Sequence, residues 1–245
     1  MHGALIGFGN VALHVHLPLF RDNDHFEIDA VVEPLPERAK LLKKLLPEAL
    51  IYPELEPLLV ENDLDFVDIC TPPCFHADIM LKACRSGLHV ICEKPLVTSF
   101  ENFHQIEQAS NDFNSTIFTV NNWKYAPIWA KAIELIHANS IGPVNSLSLT
   151  VLRLPNSGGG VTNWRTCMDV AGGGIMLDHG WHHLYLILSI IKEMPISVSA
   201  RMVCPQAGGS GLEESVDLTM FFRNAQVQLH LTWQASRRGN FGTII

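Results

Sequence analysis

An apolar run, Ala4-Leu5-Ile6, passes directly into Gly7-Phe8-Gly9-Asn10-Val11-Ala12, and this strand-to-helix turn constrains the fold more than any other stretch of the chain. The spacing has a physical cause. One glycine makes the sharp turn, and the next lets backbone N–H groups approach a pyrophosphate. A small third residue, here Ala12, permits close helix–strand packing, and the helix N-terminus faces the anion. Gly7, Gly9, Asn10 and Ala12 are therefore candidate cofactor contacts, although a purely structural turn satisfies the same spacing. Glu33 strengthens the first reading. It closes the second β-rich run about 20 residues on, where a carboxylate bonds the adenosine ribose hydroxyls. That carboxylate would repel a 2'-phosphate, so NAD is favoured, while Arg38 one helical turn further keeps NADP open.

The rest of the first half alternates short β-rich runs with amphipathic stretches, the pattern of a parallel sheet wrapped by helices. Strands are expected near 4–7, 28–32, 66–70, 89–92 and 116–120, with helices near 11–20, 36–46, 75–85 and 100–111. Beyond residue 121 the texture changes. A helix near 127–138, a long β pattern at 144–153, a glycine-rich loop, a helix near 173–191 and three further β-rich runs predict an α+β unit with a mostly antiparallel open sheet. The chain thus divides into a dinucleotide-binding Rossmann domain at 1–121 and an α+β substrate and oligomerisation domain at 122–245. No repeat, charge block or flexible linker separates them.

Lys94 is the most informative candidate for chemistry. In Val90-Ile91-Cys92-Glu93-Lys94-Pro95 it leaves an apolar strand between an acid and a proline. A lysine emerging from the core of a parallel sheet is partly desolvated and suited to giving or taking a proton. A strand-end lysine pointing into water fits the same six residues. Thr71 and Pro72 end another strand at the carboxyl edge of the sheet, where open α/β folds bind ligands. His76, just into the next helix, is either a helix cap or a cofactor contact.

A second constellation is Gly172-Gly173-Gly174-Ile175-Met176-Leu177-Asp178-His179-Gly180-Trp181-His182-His183. On a helix Asp178 and His182 share a face, so the carboxylate can orient the imidazole and make it a proton shuttle; a capped helix with a core histidine is the alternative. His179 and His183 form another such pair. Zinc needs a third protein ligand, and neither that nor an H-E-x-x-H pattern is present, so no metal site is expected.

Composition narrows the partners. A formal net charge of -8, from 17 Lys and Arg against 25 Asp and Glu, disfavours nucleic acid and anionic membrane. No apolar run approaches the roughly 20 residues that span a bilayer, and the N-terminus lacks the basic region and cleavage site of a secretory signal. Six cysteines without a C-x-x-C pair read as reduced, buried thiols of a cytoplasmic protein.

The order Gly-x-Gly-x-x-Ala, Thr71-Pro72-Pro73, Glu93-Lys94-Pro95, then Gly172-Gly173-Gly174 followed by Asp178-x-x-x-His182 resembles the Gfo/Idh/MocA oxidoreductases, which include glucose-fructose oxidoreductase and inositol dehydrogenase. His16-Leu17-Pro18, the stretch 122–127, Ile141-Gly142 and Trp164-Arg165 are smaller echoes. The resemblance implies a nicotinamide cofactor contacted also by Thr71, Pro72, His76, Glu93 and Lys94. It implies that Lys94 and His182 bracket the reacting hydroxyl or carbonyl of a sugar, cyclitol or related polyol, with Asp178 as orienter or substrate ligand. His182 is taken as the acid/base and Lys94 as donor and electrostatic partner, roles that can be exchanged. Asn122, Trp123, Tyr125, Trp164 and Arg165 are candidate substrate contacts.

Two departures from the family pattern matter. Lys124 stands where the family often has arginine. Family members also carry a further segment beyond the position of Ile245 that completes the sheet, so a fragment, a split product or a compact variant is expected, with strand edges open to homo-oligomer formation. The family equally implies an NAD-dependent glycoside hydrolase, and a non-catalytic cofactor-binding sensor is the reading from a different class.

Overall fold

The computed structural model describes residues 1–61, 63–155, 163–204 and 211–245. The chain forms two compact units, Met1–Val120 and Asn121–Ile245, each with its own sheet. The glycine-rich loop expected after residue 153 falls at 156–162, outside the described residues.

In the first unit β1 (His2–Ile6), β2 (Glu27–Val32), β3 (Leu50–Tyr52), β4 (Phe66–Ile69), β5 (His89–Cys92) and β6 (Ile117–Thr119) make one parallel sheet in the order β3-β2-β1-β4-β5-β6. Every pairing in it is parallel. This order is the doubly wound dinucleotide-binding arrangement, as expected from the alternating sequence pattern. The central strands are mainly apolar because helices cover both faces; β4 is buried at all four positions, Asp68 included. Ala4, Ile6, Val67 and Ile69 pack on one face with Met80 and Ile106, while Leu5, Val31 and Leu42 fill the other.

The short β3 and the helix after it, Leu55–Glu61, escaped the sequence reading. Three residues are too few to show a period of two. The helix expected at 11–20 is also more finely divided: a π turn, Ala12–His16, runs into an α-helix at Leu17–Arg21. Ser99 caps the helix Phe100–Asp112, its hydroxyl accepting from the Asn102 amide at 3.2 Å.

The second unit holds β7 (Ser146–Leu152), β8 (Ser197–Val203), β9 (Ser215–Phe221), β10 (Gln226–Thr232) and β11 (Gly239–Ile244) in the order β11-β7-β10-β9-β8. Only β7 and β10 pair in parallel; the other three pairings are antiparallel. Strict alternation decides the register. Leu147, Leu149 and Val151 meet Val227, Leu229 and Leu231 on the covered face, and a slip of one residue would turn all of them to water. The opposite face carries Ser148, Asp217, Thr219 and Gln228. The stretch at 239–244, for which no strand is expected from sequence, forms β11, antiparallel to β7. Glycine and asparagine in Gly239-Asn240-Phe241-Gly242 hid it.

Helices Pro127–His137 and Trp181–Ile191 cover the apolar face. The helix expected from 173 begins as a π turn, Met176–Gly180, and becomes α-helical at Trp181. The cysteine reading needs a correction: Cys70, Cys84 and Cys92 are buried, but Cys74, Cys167 and Cys204 are exposed. Cys74 lies on the 3-10 turn Pro73–Phe75, Cys167 between two short helices and Cys204 just past β8, where neighbouring apolar residues do not imply burial.

The triple glycine has a steric origin. Gly172 ends a short helix with φ of 75°, a left-handed conformation costly for other residues. A Cβ on Gly174 would collide with the Glu213 carbonyl oxygen and lie 2.8 Å from its nitrogen. Glu213 uses that closeness, accepting from the Gly174 and Met176 amides at 2.9 and 3.1 Å while its carbonyl accepts from Ile175 at 3.0 Å. Gly174→Ala is expected to destabilise the second unit by about 1–3 kcal/mol or more. All five tryptophans lie beyond residue 121, so a lower midpoint in tryptophan-monitored urea unfolding reads that unit selectively.

Candidate active site

The residues expected to hold a dinucleotide come together at the carboxyl edge of the first sheet. Gly7 has φ of 87°, and a Cβ there would press on Thr71 at 2.9 Å. Gly9 meets nothing within 4 Å of its Cβ position. Its backbone therefore lies open to an approaching anion, which is the fit a pyrophosphate requires. Ala12 is fully buried, consistent with its packing role.

Glu33 does more than the sequence indicated. It is only 3% exposed, and its two oxygens accept from the Phe8 amide of the glycine turn and the Leu35 amide, both at 2.9 Å. One lone pair on each oxygen is left for a ribose hydroxyl. Arg38 sits 3.7 Å from the same carboxylate, half exposed at its rim. His76 is fully buried, with ring nitrogens 2.9 Å from the Thr71 carbonyl and 2.8 Å from the Pro95 carbonyl. It ties the loop containing Thr71 and Pro72 to the loop containing Lys94. The Lys94–Pro95 peptide bond is cis.

Beneath this edge lies a charged network absent from the sequence reading. His16, on the π turn, has Nδ1 2.7 Å from Asp68 and Nε2 3.2 Å from Glu93. Glu93 in turn accepts from the Lys94 amide at 3.1 Å. Burial opposes charge on His16, but hydrogen bonds to Asp68, Cys70 and Glu93 outweigh it and raise its pKa to about 12. The Cys70 thiol, pushed up to about 12 chiefly by burial, stays protonated and donates to Asp68. A signal was available: Asp68 interrupts the apolar run Phe66-Val67-Asp68-Ile69-Cys70, and a carboxylate inside a parallel strand needs a partner.

The second unit presents a separate constellation. His182 is buried, stacked on Trp123 with ring centres 4.6 Å apart and 11° between planes. Its Nδ1 is 2.9 Å from the Tyr185 hydroxyl, which accepts from the Trp123 amide at 2.9 Å. Tyr185, which sequence reasoning missed, is thus one orienting partner of the imidazole. Asp178 pairs with Arg165 at 3.5 Å and with His179 at 3.6 Å. Arg165 also stacks over Trp164 at 4.3 Å, so Trp164, Arg165 and Asp178 form one group. Asn122, Trp123 and Tyr125 share a short 3-10 turn, but Tyr125 is exposed and carries Lys124 over its ring. His183 donates Nδ1 to the His179 carbonyl at 3.0 Å, and burial lowers its pKa. That bond commits one His183 nitrogen to the backbone.

Comparison with known proteins bears on family and fold. Residues 1–121 match the model of the oxidoreductase family with an NAD-binding Rossmann fold, and residues 129–245 match the GFO/IDH/MocA C-terminal domain. The chain belongs to the Gfo/Idh/MocA family. Among curated relatives, D-xylose 1-dehydrogenase (NADP+) 2 of Haloferax volcanii is 30% identical over 70% of this chain and 52% of its own length. D-glucoside 3-dehydrogenase of Escherichia coli is 26% identical over 74% of this chain and 51% of its own. The chain therefore spans about half the length of these relatives. A Thermotoga maritima oxidoreductase of known structure superposes with a TM-score of 0.87 at 26% identity, covering all of this chain and 75% of the other.

The buried imidazolium makes stability depend on pH in a definite direction. An unfolded histidine loses its proton near 6.5, whereas His16 keeps it to about 12. The stability this imidazolium contributes is therefore complete below about pH 6.5 and declines above it, by up to about 1.4 kcal/mol per pH unit, and Asp68, whose pKa burial raises, adds a loss of the same sign from lower pH. Hydrogen exchange at β1 and β4 amides, corrected for intrinsic rates, should show this decline between about pH 7 and 9. The slope should flatten in His16→Gln.

Proposed function

We propose that this family member is an NAD(P)-dependent oxidoreductase acting at a hydroxyl or carbonyl carbon of a sugar, cyclitol or related polyol. The observation that carries the reading is the shared strand edge: the open glycine turn, the braced Glu33 and Lys94 all leave the sheet at its carboxyl end. Sugar dehydrogenation by the named relatives supports the substrate class. A bound nicotinamide ring would accept or return the hydride of a C–H bond.

The chain's own residues handle the remaining charge. As hydride leaves the carbinol carbon, the hydroxyl proton passes to a base, and a positioned group of that kind contributes about 10² to 10⁴ in rate. His182 is suited to it. With Nδ1–H donating to the Tyr185 hydroxyl, the neutral ring keeps Nε2 as its basic nitrogen, and the same Nδ1–H bond persists in the cation once Nε2 has taken the proton. The flat contact with Trp123 restricts ring rotation. Lys94 supplies a donor and positive charge for the reacting oxygen, and Asp178, paired with Arg165, orients substrate. Glu33 holds the adenosine ribose through its remaining lone pairs and favours NAD, while Arg38 at its rim suits NADP.

The exposed strand β8, with Val198 and Met202 uncovered on its apolar side, supports self-association through the open sheet. The three buried cysteines, Cys70, Cys84 and Cys92, fit a reducing, cytoplasmic setting.

Incubation with NAD+ or NADP+ and a panel of free sugars, cyclitols and aryl glycosides, followed by absorbance of reduced cofactor, tests the reading. Net reduction with a free sugar or polyol is expected; glycoside cleavage without net reduction would replace the proposal with the hydrolase reading. Lys94→Met should keep NADH affinity within about threefold and lose about 10² or more in turnover. Unchanged turnover would remove Lys94 from the chemistry.

A further inference from the structure

We infer that Asp68, His16 and Glu93 form a charged clamp that holds the backbone of Lys94 in place relative to the glycine turn. The inference rests on the role proposed for Lys94, and makes His16 and Glu93 positioning residues. Each member comes from a different element: the π turn that follows Gly7 to Ala12, the middle of β4, and the end of β5. The imidazole bridges the two acids at 2.7 and 3.2 Å. The second Glu93 oxygen accepts from the Lys94 amide at 3.1 Å, so the side chain that meets His16 also holds the next residue's backbone.

The arrangement is over-determined from below. Glu93 donates its amide to the Ile69 carbonyl at 2.9 Å, and Cys70 donates to Ile6 at 2.9 Å, so the ends of β1, β4 and β5 meet at fixed height. Side-chain exposure is 7% for His16, 0% for Asp68 and 15% for Glu93, leaving little water to screen the charges. Without the cation, Asp68 and Glu93 would face each other across a dry gap. One of them would have to take up a proton or turn away, and the acceptor for the Lys94 amide would go with it. Simple packing requires none of this charge balance, because a neutral residue of similar volume would serve.

Hydrogen exchange of the whole chain, read by mass spectrometry on the peptide covering 92–97, tests the clamp without a substrate. His16→Gln should raise exchange there by about tenfold or more while β9 and β10 stay unchanged. The paired change His16→Gln with Asp68→Asn removes one carboxylate together with the cation and should restore most of the protection. Equal protection in His16→Gln and wild type overturns the inference. So does loosening spread evenly over β1, β4 and β5 that the second substitution fails to reverse. If His16→Gln does not fold, Glu93→Gln, which keeps the shape but weakens the acceptor, must loosen 92–97 selectively, and its failure to do so also overturns the clamp. Protection that depends on His16 in a chain that turns over no sugar would leave the clamp standing and remove the dehydrogenase reading.

Discussion

The parallel register of β1, β2, β4 and β5 is the constraint on which the first unit depends. Ile6 lies opposite both Val32 and Ile69, and Ile69 opposite Cys92, so four strands end level with one another. Backbone bonds continue the ladder by one residue, from Gly7 to Val32 and from Glu93 to Ile69. The next residues in each strand, Gly7, Glu33, Cys70 and Glu93, therefore leave the core at one height. A parallel sheet is uniform in direction, so this edge collects every loop that can touch a ligand. Side chains at the edge then become one another's neighbours: Glu33 reaches the glycine turn and His16 reaches Glu93.

The second unit solves a different problem. Its sheet has one apolar face, and the helix Trp181–Ile191 must lie close against it while presenting His182 on its other flank. Glycine at 174 lets the Glu213 backbone approach, and the Glu213 side chain satisfies the amides that open the π turn. A polar group therefore takes the place usually filled by a capping serine or aspartate. Trp123 then closes on His182, its amide and ring engaging Tyr185 and the imidazole. Aromatic contact and hydrogen bond act together to restrict one ring.

Much of this was legible in the chain. The strands at 28–32, 66–70 and 89–92 announced themselves by short, mainly apolar β-rich runs, and the glycine turn by its flanking strand and helix. Lys94, Asp178 and His182 stood out because charged groups beside apolar runs need a reason to be there. What escaped followed a common physical cause. The His16, Asp68 and Glu93 contacts join residues 52 and 77 positions apart, and no local period encodes such a meeting. Tyr185 was overlooked because, in an apolar helix, a tyrosine reads as packing until its hydroxyl is given partners. Strand β11 was missed because its glycines and asparagine are residue types depleted in strands.

By itself the sequence determined the class of fold, the placement of the glycine turn and the strand ends, and the residue types available for chemistry. These follow from local rules: the period of burial, the conformational freedom of glycine, and the cost of leaving polar groups in an apolar run. Only the tertiary structure decided which of those residues serve one another. It assigned Glu33 to the Phe8 amide, His16 to two carboxylates, and Tyr185 to His182, because a buried charge or hydroxyl takes whichever partner the packing of distant strands and helices brings within hydrogen-bond reach.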